Sequence, residues 1–130
     1  MFNKAVMAVG DDVDEMEHLA ALLRQEGLAV LKAHDAERAL HLIRSLKPDL
    51  FLLDVWANGL NSYDLCRWLR TNRHTANTPV IILSAFNTPH ARRDALASGA
   101  DLFLPKANLS TELLRAVQDL LERNGHTQTV

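Results

Sequence analysis

The chain has 130 residues, 48% of them hydrophobic and 23% charged, with a formal net charge of -2. That is the size and balance of one globular domain with a core of its own, and so small a charge gives no basic field for direct nucleic-acid binding. Cys66 is the single cysteine, which excludes an intrachain disulfide or a cysteine zinc cluster and suits a reducing cytoplasm. No apolar run approaches the length of a membrane span, and the N-terminus is not expected to be a signal segment.

Ala5 to Val9 is a short apolar run that reads as a first strand, followed at once by the acidic loop Gly10-Asp11-Asp12. From Asp14 the period changes, and Met16, Leu19, Ala20 and Leu23 share one helical face until Gly27 stops the helix. Leu28 to Ala33 reads as a weaker strand near a sheet edge because Lys32 interrupts it. Asp35 is placed to cap a second helix over Ala36, Ala39, Leu40 and Ile43, which ends before Pro48.

Leu50-Phe51-Leu52-Leu53-Asp54 is apolar until it stops on a carboxylate, the pattern of a strand covered on both faces. After the loop Trp56 to Asn61, Ser62 is expected to cap a third helix carrying Leu65, Trp68 and Leu69 inward. Val80 to Leu83 is another apolar strand, ending on Ser84-Ala85. Pro89 suits the first position of a fourth helix, where its missing N–H costs nothing. Leu102 to Leu104 gives a fifth strand before Pro105-Lys106, and Ser110 is expected to cap a last helix burying Leu113, Val117, Leu120 and Leu121. The six histidines lack metal-ligand spacing and read as surface residues; Trp68 reads as core and Trp56 as a lid. The domain is set at 1–124, with a frayed polar tail at 125–130.

Strands alternating with helices at this spacing predict a parallel sheet with right-handed crossovers and helices on both faces. Ligands of such sheets bind outside the carboxyl ends of the strands. Asp11, Asp12, Asp54, Ser84 and Lys106 all fall on that rim. Acids crowded there need a cation, and an all-oxygen set suits Mg²⁺.

With the acidic loop, Leu-Leu-Asp54, Leu-Ser84-Ala85 and Leu-Pro105-Lys106 in this order, the chain resembles the response-regulator receiver domain of two-component signalling, from Val6 to about Glu122. The resemblance implies a flavodoxin-like (βα)5 fold with strand order 2-1-3-4-5. It implies Asp54 as the acceptor of a phosphoryl group from a histidine kinase or phosphotransfer protein. Mg²⁺ would be held by Asp11, Asp54 and the backbone carbonyl of Trp56. Ser84 and Lys106 would bind the phosphoryl group, with Ala85 small enough to admit the donor and Phe103 as a switch aromatic that turns inward. Trp56 and Phe86 would tune phosphoryl lifetime. Output would pass to a protein target through the face of helix 4, strand 5 and helix 5, and a homodimer is allowed.

Some positions depart from the family pattern. Counting back from Gly27, Asp11 aligns with the second acid of the usual pair and Gly10 with the first, which weakens the expected Mg²⁺ site; Asp12 is a candidate to compensate. Ala107 replaces the usual proline, and a cis bond there would cost about 3–4 kcal/mol, so the bond is either trans in a reshaped loop or a strained cis. These departures motivate the alternative of a phosphorylation-independent interaction module. A flavodoxin-like flavin carrier or small enzyme is the more remote alternative, since the loops are acidic where a flavin phosphate needs N–H and hydroxyl donors.

Overall fold

A computed structural model describes residues 4–55 and 61–129. In chain order the elements are β1 (Ala5–Val9), α1 (Val13–Gln25), β2 (Ala29–Ala33), α2 (Ala36–Ile43), β3 (Leu50–Asp54), α3 (Ser62–Thr71), β4 (Val80–Ser84), α4 (Pro89–Ala97), β5 (Leu102–Pro105), a 3-10 turn at Lys106–Asn108, and α5 (Leu109–Thr129). All strand pairs are parallel, in the order β2-β1-β3-β4-β5, which matches the predicted flavodoxin-like topology. β2 lies on an edge, as its broken apolar run foretold, and Lys32 on it forms an ion pair with Glu17 of α1.

Successive strand residues face opposite sides of the sheet, which divides the apolar residues into two cores. Val6, Ala8, Leu50, Leu52, Ile81 and Leu83 pack under α1 and α5. Met7, Val9, Phe51, Leu53, Ile82 and Phe103 pack under α2, α3 and α4. The central strands therefore need apolar residues at every position. Met16, Leu19, Ala20 and Leu23 are buried on α1 as their spacing predicts, and so are Leu113, Val117, Leu120 and Leu121 on α5.

Several local expectations are corrected. The α3 cap is Asn61, whose side chain accepts from the Tyr63 N–H at 2.7 Å, while Ser62 is already helical and buried. Trp68 is 38% exposed; Ser62, Leu65, Cys66 and Leu69 form the inward stripe, and the indole falls at its margin. Ser110 lies inside α5, because the 3-10 turn leads straight into the helix at Leu109. That helix continues to Thr129, through the segment expected to be a frayed tail. His18, His34, His41, His74 and His90 are exposed, and the His126 side chain lies outside the described residues.

The edge opposite the rim is tied by one side chain. Arg70 of α3 donates to the carbonyls of Gly99, Ala76 and Thr78 and to the Asp101 carboxylate, and Asp101 also accepts from the Val80 N–H at 2.8 Å. Gly99 has φ of 108°, and a Cβ there would stand 2.7 Å from Arg70 Cγ, so the turn needs glycine on both counts.

Candidate phosphoacceptor site

Parallel pairing brings the strand ends to one rim. Asp54 pairs with Leu83, and Ser84 with Pro105, so Lys106 leaves the end of β5 beside β4, one strand away from β3 and Asp54. Asp54 continues the alternation of Leu50 and Leu52 and so belongs to the α1 face of β3. Its carboxylate is buried, with the residue 3% exposed. Lys106 Nζ donates to Asp54 Oδ2 at 2.9 Å. The end of β3 is fixed from behind by the Ser62 hydroxyl, which donates to the Asp54 backbone carbonyl.

Sequence reasoning missed one member of the site. Glu15, in the first turn of α1, accepts from the same Lys106 ammonium at 2.8 Å, so one cation bridges two carboxylates. Burial pushes the Glu15 carboxyl above its ordinary pKa; the bond from Lys106 lowers it, and Asp54 beside it raises it again. For Lys106, burial alone would lower the pKa, but the bonds to Glu15 and Asp54 outweigh it and leave the ammonium above its ordinary value. Both partners thus move up: Glu15 chiefly because it is buried, with Asp54 adding to the rise, and Lys106 because it serves two carboxylates. The only signal in the sequence was an acid one residue before the buried Met16.

Gly10 stands beside Asp54, as the alignment of the acidic loop requires. A Cβ at Gly10 would lie 3.5 Å from Asp54 Oδ2, 3.2 Å from Asp54 Cβ and 2.7 Å from Met16 Sδ. The Met16 thioether of α1 occupies the space that a side chain there would need. Asp11 is exposed on the loop. Asp12 does not turn inward to replace the missing acid: it caps α1, accepting from the Glu15 N–H at 3.0 Å.

Ser84 is buried, and its hydroxyl accepts from the Phe86 N–H and donates to the Phe86 carbonyl, both at 3.0 Å. Ala85 is exposed and leaves the rim open. Phe103 already lies inward, buried in the α4 core with the Arg92 guanidinium 5.0 Å from its ring centroid, so its burial does not wait on Ser84. Phenylalanine has no hydroxyl to leave in water, and the cation covers its remaining face. Lys106-Ala107 is trans and opens the 3-10 turn, the reshaped-loop outcome. Trp56, assigned as a carbonyl ligand, a lid and a lifetime residue, lies outside the described residues. Phe86 is 53% exposed and borders an open groove of about 350 Å³ with Val55, Tyr63 and Ala91.

Among the described residues no three His, Cys, Asp or Glu side chains converge as a ready-made metal cage. Mg²⁺ does not require one. It usually binds through one or two carboxylates plus phosphate oxygens and keeps several waters, and the oxygen-only donors of this rim fit that chemistry.

A buried acid and a lysine on the carboxyl rim of a parallel β2-β1-β3-β4-β5 sheet match a known family. The model of the response regulator receiver domain matches residues 6–118. The chain belongs to the receiver family. It is 35% identical over 119 residues to the DNA-binding response regulator MtrA of Mycobacterium tuberculosis, covering 92% of this chain and 51% of that protein. It is 36% identical to the response regulator MprA of Mycobacterium avium, covering 91% and 51%. The chain thus spans about half the length of these curated relatives. The receiver domain of Francisella response regulator 1452 superposes with a TM-score of 0.86 at 30% identity, covering 94% of this chain and 99% of that one. The receiver domain of the sensor histidine kinase PA1611 from Pseudomonas aeruginosa, solved with magnesium in its active-site cleft, shares the fold at a TM-score of 0.85 and 24% identity. The chain is accordingly a receiver domain of the two-component response-regulator family, in which phosphorylation on aspartate is a general property.

Proposed function

We propose that Asp54 of this receiver accepts a phosphoryl group from a histidine kinase or phosphotransfer protein, and that the adduct switches binding of a partner. The buried Asp54 carboxylate with Lys106 Nζ at 2.9 Å carries the reading. A carboxylate oxygen attacks phosphorus in line; the new O–P bond forms as the bond to the donor nitrogen breaks, and the imidazole leaves with the electron pair. Lys106 neutralises a phosphoryl oxygen, and Ser84 donates to another once its hydroxyl turns from the Phe86 carbonyl. Asp11 and Asp54, with the Trp56 carbonyl, would hold Mg²⁺; bound there it neutralises phosphoryl oxygens.

The output surface in this reading is the face of α4, β5 and α5. Between β5 and α5 a shallow groove of about 350 Å³ has Leu102, Leu104 and Leu120 at its base and Glu112, Arg115 and Asp119 along it, an apolar floor with charges of both signs. That composition suits a protein target and does not suit nucleic acid.

A phosphorylation-independent interaction module is the second reading, favoured by Met16 filling the space beside Gly10 and by Asp12 being committed to a helix cap. Intact-mass measurement after incubation with Mg²⁺ and acetyl phosphate separates the two. One added phosphoryl mass, absent in Asp54→Asn, supports the switch; no adduct, or one that survives Asp54→Asn, overturns it.

A further inference from the structure

We propose that Glu15 is a positioning residue for Lys106: it holds the ammonium between two carboxylates and thereby withholds it from the phosphoryl group. The inference rests on the reading of Asp54 as phosphoacceptor. It goes further by naming a built-in competitor for the cation on which that chemistry depends.

Three observations support it. Lys106 Nζ is 2.8 Å from Glu15 Oε1 and 2.9 Å from Asp54 Oδ2, in a setting where all three side chains are largely removed from water. An ammonium has three N–H donors, so two are already committed before any phosphoryl group arrives. Glu15 is not a loose surface acid that happens to swing by. Its backbone N–H is the one that Asp12 caps at 3.0 Å, which fixes the first turn of α1 and aims the residue from a rigid base. Finally, Gly10 has no side chain, and the sulfur of Met16, the residue after Glu15, occupies the space beside it, next to Asp54.

The charges then decide the outcome. Asp54, Glu15 and Lys106 together carry one net negative charge, and phosphorylation adds more within the same small volume. Like charges held in a partly desolvated site repel strongly, so Glu15 and the phosphoryl oxygens compete for one ammonium. Phosphorylation either draws Lys106 from Glu15 or leaves its single positive charge shared between the phosphoryl oxygens and the Glu15 carboxylate. Either way, Glu15 lowers phosphoryl occupancy at a given donor concentration.

Beryllofluoride, a phosphoryl mimic, is the probe. It is titrated into the Mg²⁺-saturated wild type, Glu15→Gln and Glu15→Asp, with Mg²⁺ affinity and melting temperature measured alongside. Glu15→Gln keeps the shape and removes the charge, so it is expected to bind beryllofluoride roughly tenfold tighter, the size of effect that one hydrogen bond to a charged group represents. Glu15→Asp keeps the charge one methylene short and should fall between the two. A purely structural residue would move the melting temperature and leave this affinity order unchanged. Equal affinity in wild type and Glu15→Gln overturns the proposal. Weaker beryllofluoride and weaker Mg²⁺ binding in Glu15→Gln also overturns it, since Glu15 would then be supporting the cation site. If the wild type binds no beryllofluoride and gains no phosphoryl mass, the reading of Asp54 fails and this one with it. If the wild type does both and Glu15→Gln matches it, only the Glu15 proposal falls.

Discussion

The Ser84 hydroxyl is closed on Phe86, accepting from its N–H and donating to its carbonyl, each at 3.0 Å. The one proton that Ser84 has to offer a phosphoryl oxygen is therefore in use. Ser84→Ala should lose the link that shapes the loop after β4, at about 1 kcal/mol, and lower the melting temperature by a few degrees. The same variant should bind beryllofluoride several-fold more weakly, as measured by titration. Ser84→Thr keeps the hydroxyl and should retain most of that affinity.

Gly10 invites restoration of the missing acid, but the packing opposes it. Gly10→Asp places a Cβ 2.7 Å from Met16 Sδ and 3.2 Å from Asp54 Cβ. The thioether is flexible, while the end of β3 is not. The expected cost is roughly 1–3 kcal/mol of overpacking, visible as a lower denaturation midpoint. Pairing the change with Met16→Val should recover part of that loss. Calorimetric titration should then show tighter Mg²⁺ binding in the double variant than in Met16→Val alone.

Phosphoryl lifetime should depend on the aromatic residues Trp56 and Phe86. Phe86 is 53% exposed and stands next to the Ser84 loop, where an apolar ring can exclude water but cannot orient it. Positioning a water as nucleophile is worth several powers of ten in rate, on the order of the effects known for proximity. Phe86→Glu, and its combination with Trp56→Asn, should shorten the half-life of the aspartyl phosphate followed by mass spectrometry. A double variant that loses the group no faster than wild type would make both residues packing elements.

Cys66 lies on the buried face of α3, and burial pushes its thiol pKa up, a rise that Ser98 and Arg70 only partly offset. The folded thiol keeps its proton at pH values where the unfolded one, with a pKa of about 8.5, has lost it. Its contribution to stability is thus fully present below about pH 8.5 and declines as pH rises beyond that. Thermal melts of Cys66→Ala should begin lower but fall less steeply across the alkaline range. In the native state Cys66 should resist a disulfide exchange reagent at pH 8 and react when denaturant is added.

The sequence by itself determined the five strands and the rim, while their order came with the resemblance to the receiver family. Apolar runs as short as Val80 to Leu83, bounded by turn residues, suit strands covered on both faces, and four of the five lead into residues with chemistry to offer. The α1 and α5 stripes were legible for the same reason: a 3.6-residue period names its buried face without knowing what lies against it. Only the tertiary structure decided which neighbours those residues meet. Asn61 and Ser62 are both capping types, and the choice between them depended on the Ser62 hydroxyl reaching the Asp54 carbonyl from the start of α3. Trp68 is apolar at a plausible spacing, yet the small Cys66 takes the position against the sheet. Glu15 looked like any acid in a first helical turn, where negative charge is favourable anyway. Its contact with Lys106 joins residues 91 apart in sequence, and no local pattern carries that distance.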